Sequence, residues 1–274
     1  MVLKRGDSGD AVKTFQRNLN KLGSMLTIDG EFGQGTQTAV VNARATLNQP
    51  GPPEADDALQ QAVANTPDPC PPLTAAGMTF IAQKEVTSAK TYERNFRRPC
   101  LPPGDSGVTI GIGYDLRFVD RAGLVADWGD LLSAEAIDLL TGVIGKKGTP
   151  ELRDSVQAVD IPLSVAMQVF AKRSIPDYLR QTRSIYPQVD GLTTAQRTAL
   201  VSLVYNRGTK LDGDTRLEMK AIRDLLAAGN FADVPAQILS MKRLVDPAKA
   251  AGLIARREEE AALWREGFVS AGLD

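Results

Sequence analysis

The feature that most constrains the fold is a run of glycines and β-branched residues at positions 107–116, GVTIGIGYDL. Glycine permits tight turns and the close approach of another backbone, so this run predicts a short, bent β-hairpin. Side chains alternate between the two faces of a strand, and Thr109 and Asp115 are six residues apart. We therefore expect Thr109 and Asp115 to face the same side.

Upstream of this run, apolar residues recur at helical spacing, and Glu85 lies within their stripe. The stripe consists of Met78, Ile81, Ala82 and Val86. A carboxyl group that faces a core or a cleft loses hydration, which favours its neutral, proton-donating form. The alternative is a Glu that is hydrogen-bonded or solvated at a helix end, and spacing alone does not choose between the two.

The composition narrows the chemistry, because the chain contains no histidine and two cysteines. Without histidine, Ser-His-Asp and Cys-His hydrolases and the usual His-containing zinc sites are excluded. If the hairpin folds back beside the helix, a carboxylic acid, a carboxylate and a hydroxyl share one cleft. A pair of carboxyl groups of this kind is what catalyses hydrolysis in most glycosidases.

Glu85, the run at 107–116 and the end of the chain resemble the phage-lysozyme superfamily, in particular its pesticin-like muramidase branch. That branch pairs a helix-borne Glu with a strand Thr and an Asp six residues later, which correspond here to Glu85, Thr109 and Asp115. Other phage lysozymes place the Asp before the Thr. Here Pro103 holds the upstream position, and the nearby Asp105 stays a second candidate carboxylate.

The resemblance extends to residues 199–208, ALVSLVYNRG, and to 252–264, which look like the central-helix end and the closing helix of that family. It implies that Tyr114 and Asn206 contact the substrate, although an Asn at a helix end equally caps a turn. In the closing segment, charged residues at helical spacings are expected to form structural ion pairs. They are Arg256, Arg257, Glu258 and Glu260.

Residues 1–48 resemble a small three-helix peptidoglycan-binding module, chiefly through the turn-rich segment IDGEFGQGT at 28–36. The positions that carry this resemblance are candidate wall-binding residues, in part structural. They are Asp29, Gly30, Phe32, Gly33 and Thr36. The alternative is a helical hairpin that binds no ligand.

The expected fold is mainly α, with a small three-helix wall-binding domain (1–48), a Pro-rich linker (49–74) and an α+β lysozyme-like muramidase domain (75–274) with a short β-hairpin. Within the linker, residues 54–64 are able to form a short helix. In the catalytic part, Ser133 predicts a helix cap, and Thr193 and Thr215 each predict a capping box.

The resemblance implies cleavage of the β-1,4 bond between N-acetylmuramic acid and N-acetylglucosamine. Glu85 would be the acid, Asp115 the base and Thr109 the residue that helps position water, with inversion at the anomeric carbon and no metal or organic cofactor. A lytic transglycosylase, a secreted muramidase effector or bacteriocin, and a non-catalytic wall-binding protein are the alternatives.

The biological setting follows from charge and patterning. A net charge of −1 argues against nucleic acid as the partner, and the absence of a long apolar run predicts no membrane span. Without a secretory signal peptide, we expect a monomeric phage endolysin that is made in the cytoplasm of the infected bacterium and acts on the cell wall in the periplasm. Cys70 and Cys100 are either bridged or free thiols.

Overall fold

The structure is a computed structural model that describes residues 1–270. It is mainly helical, with one short antiparallel β-hairpin, which confirms the expected fold class. The chain divides into two compact units, Met1–Ser174 and Ile175–Asp274, and each has its own core.

The first unit contains nine α-helices and the hairpin. The helices are α1 (Asp10–Asn20), α2 (Gln34–Thr46), α3 (Asp57–Asn65), α4 (Ala75–Val86), α5 (Ala89–Asn95), α6 (Arg121–Trp128), α7 (Ala134–Thr141), α8 (Pro150–Ser155) and α9 (Leu163–Val169). The strands are β1 (Thr109–Ile110) and β2 (Tyr114–Asp115). A π-helical turn, Phe170–Ser174, follows α9.

In the described part of the second unit the helices are α10 (Ile175–Ile185), α11 (Thr194–Arg207), α12 (Leu217–Ala228), α13 (Val234–Ser240) and α14 (Ala251–Ser270). Helix α14 packs against α11 and α13. Trp264 of α14 is fully buried, and its indole N–H donates to the carbonyl of Phe231 at 2.9 Å. The polar end of this large side chain is therefore satisfied inside the core.

The core of the N-terminal module is built around Phe15 of α1 and Phe32, whose rings stack with centroids 6.3 Å apart. Leu59 and Val63 of α3 are buried in the same cluster. The helix expected between the prolines is therefore present, and it is the third helix of the module. The three domain boundaries stay a prediction, but this packing joins α3 to the module rather than to a free linker.

The end of α1 also packs on the lobe that carries α4 and α9. Gly23 has a φ of +79°, and a Cβ placed on it would lie 2.9 Å from the Cβ of Met167. A glycine is needed here both for its backbone conformation and for the close approach of α9. Within the first unit, the module is therefore in contact with the following helices and not merely tethered to them.

Two of the three predicted helix starts are confirmed. The Ser133 hydroxyl accepts from the amide of Ala136, and Thr193 forms both halves of its capping box with Gln196. The box at Thr215 is wrong. A 3-10 turn precedes α12, and the carboxylate of Glu218 is engaged by Arg243 at 2.5 Å instead.

Cys70 and Cys100 are free thiols, and burial raises the pKa of both. Among residues 1–270, no helix has the length and apolar character needed to cross a bilayer.

Candidate active site

The β-hairpin brings Thr109 and Asp115 together. The strands are antiparallel, with Thr109 directly opposite Asp115 and Ile110 opposite Tyr114. Directly opposed residues of two paired strands project from the same face of the sheet. The expectation that Thr109 and Asp115 face the same side is confirmed. The reason is cross-strand pairing rather than alternation along a single strand.

The turn of the hairpin rests on a buried tryptophan. Gly111 has a φ of +58°, and a Cβ on it would lie 2.8 Å from the Cη2 atom of Trp128. The ring of Tyr114 meets Trp128 edge-on, with centroids 5.4 Å apart. The glycine therefore lets the backbone lie against the indole, and the indole supports both strands of the hairpin.

The carboxylate of Asp115 is held by the backbone on two sides. The amide of Gly107 lies 3.0 Å from Oδ1 and 3.2 Å from Oδ2, and the amide of Arg117 lies 2.9 Å from Oδ1. Backbone donors leave a carboxylate little freedom to rotate. Sequence reasoning did not assign Gly107 a role. An Asp often bonds the amide two residues on, which is a sequence signal for the contact with Arg117 but not for the one with Gly107.

Gly107 leaves no room for a side chain, so Gly107→Ala is expected to displace the Asp115 carboxylate. A Cβ there would lie 2.7 Å from Asp115 Oδ1 and 2.6 Å from Arg117 Cβ. A misplacement of about 1 Å costs roughly 10²-fold in rate. We expect a loss of that order in kcat for wall digestion, with the helical circular dichroism unchanged.

Gly252→Ala is the matched control, because a Cβ at this helical glycine has nothing within 4 Å. It should digest wall at the unaltered rate. Equal rates for the two variants would show that the contact between Gly107 and Asp115 has no part in catalysis.

Asp105, the other candidate carboxylate, has different surroundings. It is exposed, and it forms ion pairs with Arg117 at 2.8 Å and Lys147 at 3.0 Å. Hydrogen bonds from Lys147 and Arg117 lower the pKa of Asp105 below its usual range. Asp105 thus joins two cations at the surface, and it anchors the loop that precedes β1.

Glu85 lies in the last turn of α4 and is half-buried, with Ala82 and Val86 of the same helix buried. Thr74 is the N-cap of this helix, where its hydroxyl accepts from the amide of Gly77, and Thr87 is the C-cap. Thr87 has a φ of +66°, a conformation that non-glycine residues seldom adopt. Such local strain next to a candidate acid is typical of functional sites.

Tyr114 points into the protein. It is 7% exposed, and its hydroxyl donates to Asp127 Oδ2 at 2.8 Å. Arg173 pairs with the same carboxylate oxygen at 3.3 Å. Burial, with the hydrogen bond to Asp127 as a second cause, raises the pKa of Tyr114. This position argues against the predicted contact with substrate and makes Tyr114 an anchor of the hairpin.

Asn206 lies at the end of α11 in the second unit. Its side-chain oxygen accepts from Arg257 Nη2 at 3.1 Å, and the residue is exposed. Its predicted contact with sugar stays a prediction. The helix itself ends at Arg207, where Gly208 has a φ of +70°.

The candidate wall-binding residues frame a loop inside the N-terminal module. Buried Gln16 donates to Asp29 at 2.8 Å and to Thr36 at 3.2 Å, and it accepts from Gly30 at 2.9 Å. The hydrogen bond from Gln16 is the largest cause of a lowered pKa at Asp29. These residues share a structural role in shaping the loop.

Two further motif residues have similar positions. Phe32 is 1% exposed in the core, and Gly33 is the N-cap residue directly before α2. With Thr36 only 3% exposed, Asp29 is the one motif side chain that is open to a ligand. The direct wall-binding role of the motif stays a prediction.

No three His, Cys, Asp or Glu side chains come together in a geometry suited to a metal ion within the part of the chain that the structure describes.

Two family models match the chain. The model described as Phage lysozyme matches residues 132–260, and the one described as Putative peptidoglycan binding domain matches residues 8–43. No curated protein matches the chain. The lysozyme match begins after the hairpin, so it does not cover Glu85, Thr109 or Asp115, and their catalytic roles stay a prediction. Residues 132–260 are a phage lysozyme domain, which makes the chain a glycoside hydrolase (muramidase), and residues 8–43 are a putative peptidoglycan-binding domain.

Proposed function

We propose that the chain is an endolysin that cleaves the β-1,4 bond between N-acetylmuramic acid and N-acetylglucosamine with inversion at the anomeric carbon. The observation that carries this proposal is the hairpin, in which Thr109 lies opposite Asp115. A hydroxyl and a fixed carboxylate on one face are suited to hold and activate a water molecule.

In the proposed reaction, Glu85 gives its proton to the oxygen of the leaving sugar as the glycosidic bond breaks. A water attacks the anomeric carbon from the opposite face and gives a proton to Asp115. The Thr109 hydroxyl lies 3.5 Å from the carbonyl oxygen of Gly107, at the limit of a hydrogen bond. Because that contact is weak, the hydroxyl is available to orient the water.

Asp115 is a better base than Asp105 on the contacts described above. Asp115 faces the Thr109 hydroxyl and is oriented by backbone amides, whereas Asp105 is occupied by Arg117 and Lys147. Two cations on a carboxylate compete for the lone pairs that a general base must offer to water.

Digestion of purified peptidoglycan tests the reaction. The proposed mechanism gives muropeptides with reducing N-acetylmuramic acid ends, one water heavier than the anhydro ends of a lytic transglycosylase. Proton NMR of the first minutes of reaction should show the α-anomer at the new reducing end, as inversion requires. Anhydro ends would contradict hydrolysis, and an initial β-anomer would contradict inversion.

The proposed setting is synthesis in the cytoplasm of an infected bacterium and action on its cell wall in the periplasm. The wall-binding match at residues 8–43 supports the wall as the site of action. A module that holds the enzyme on an insoluble polymer raises the local concentration of its catalytic site.

A further inference from the structure

A groove lies between α1 and α3 of the N-terminal module, on a different surface from the motif loop. Its volume is about 380 Å³, which lies within the size range of small-ligand sites. Phe15 is among the lining residues, although its side chain is buried in the module core. Since Phe32 and Thr36 of the motif are buried and Asp29 is its one exposed side chain, this groove is a second, concave surface on which the module can bind its ligand.

The polar lining of the groove consists mainly of neutral hydrogen-bonding groups. α1 contributes Thr14 and Asn18, and α3 contributes Gln60 and Gln61. The side-chain nitrogen of Gln60 donates to two backbone carbonyls, those of Met1 and Ala55, each at 2.7 Å. That amide is therefore fixed before any ligand arrives, and its oxygen is left as an acceptor.

The charge of the lining indicates which part of peptidoglycan fits. The one charged lining residue is Asp57, whose carboxylate is bonded to the N-terminal ammonium group at 2.5 Å. Stem peptides carry free carboxylates, and the lining offers them no cationic side chain, since the charge of Asp57 is already paired with the N-terminal ammonium group. An N-acetylated sugar is neutral, and its hydroxyl and amide groups match the Asn and Gln side chains of the lining.

We infer that the groove between α1 and α3 binds the glycan strand of peptidoglycan through an N-acetylhexosamine unit. The inference rests on the wall-binding function of the module and deepens it. Half of the lining comes from α3, beyond the matched residues 8–43. This chain's own third helix would therefore set the strength and selectivity of its binding.

The test uses the full chain with Glu85→Gln in every sample, so that binding is measured without turnover. Asn18→Ala combined with Gln61→Ala removes two hydrogen-bonding amides, and Ala64→Met fills the groove from α3. Each change should weaken co-sedimentation with insoluble peptidoglycan at least about tenfold in Kd. The matched control is Asn42→Ala, an exposed amide on α2, which should bind like the parent.

A second measurement does not depend on the variants folding. The parent is titrated with N-acetylchitotetraose or with free stem peptide, and backbone amide shifts are followed by NMR. The saccharide, and not the stem peptide, should move the amides of residues 11–18 and 57–64, in addition to those that it moves in the catalytic lobe. Shifts confined to other segments, saturation by the stem peptide, or groove variants that bind as tightly as Asn42→Ala would overturn the inference. A failure of the muramidase proposal alone would leave all of these binding results unchanged.

Discussion

Replacing Glu85 with Gln should lower kcat for wall digestion by about 10²–10⁴-fold, the contribution expected of a general acid. Gln keeps the size and polarity of the side chain in the last turn of α4, but it has no proton to give to a leaving oxygen. Because the substitution is nearly isosteric, the fold and the affinity for insoluble wall should persist. The measurements are initial clearing of a peptidoglycan suspension and co-sedimentation of the same variant.

Glu135→Gln provides the matched control, because Glu135 is an exposed carboxyl group in the first turn of α7. It should digest wall at the parent rate. If Glu85→Gln cleared wall nearly as fast as Glu135→Gln, the acid would have to be another residue, and the proposed site would fail with it. A variant that neither digests nor binds wall would point to misfolding, which circular dichroism would reveal.

Much of the site's frame was predictable from local patterns. The apolar stripe around Glu85 predicted the helix, while it left the position of the carboxyl group open, and that group is half-buried. The glycine spacing around Thr109 and Asp115 indicated a hairpin, because few other residues allow two φ values of +58° and +72° within one tight turn. These features depend on residues close in sequence, which is where periodicity and turn chemistry are informative.

The contacts that orient the site were not predictable in the same way. Gly107 bonds Asp115 from eight residues away, and Tyr114 turns inward because Asp127 and Trp128 lie beneath it. Alternation along a strand predicts which face of the sheet a side chain is on, but it does not predict which residues that side chain contacts. The direction of Tyr114 therefore depended on tertiary packing that a single sequence does not display.

The same limit applies to the Pro-rich segment 49–74 and to the capping box predicted at Thr215. Prolines around residues 49–74 favoured a linker, yet Leu59 and Val63 give α3 an apolar edge that completes the module core. At Thr215 the spacing of a capping box is present, but Glu218 is recruited by Arg243, which lies 25 residues further along the chain. A local hydrogen bond lost to a charge-assisted one that only the folded chain could supply.

The largest expected effect on stability is at Glu260, where Glu260→Gln should destabilise the second unit by about 3–5 kcal/mol. Glu260 is 0% exposed, and its Oε1 accepts from the hydroxyl of Ser202 at 2.6 Å and from Arg256 and Arg257 at 3.2 and 3.1 Å. Burial raises the pKa of Glu260, although the charges of Arg257 and Arg256 act in the opposite direction. Burial also lowers the pKa of Arg257 to about 10. Without the carboxylate, two buried cations on α14 would lose their common counter-charge.

Glu258→Gln isolates this effect, because Glu258 lies on the same helix but is exposed, and its ion pair with Lys242 at 2.6 Å is at the surface. Exposed pairs of this kind contribute less than about 1 kcal/mol. Hydrogen exchange, measured by mass spectrometry on peptides from α11 and α14, reports how often the second unit opens, independently of unfolding in the first unit. Protection in these helices should fall by about two to four orders of magnitude in Glu260→Gln and hardly change in Glu258→Gln. Equal protection in the two variants would mean that the carboxylate does not stabilise the buried arginines, and that hydrophobic packing of Trp264 and its neighbours alone holds α14 in place.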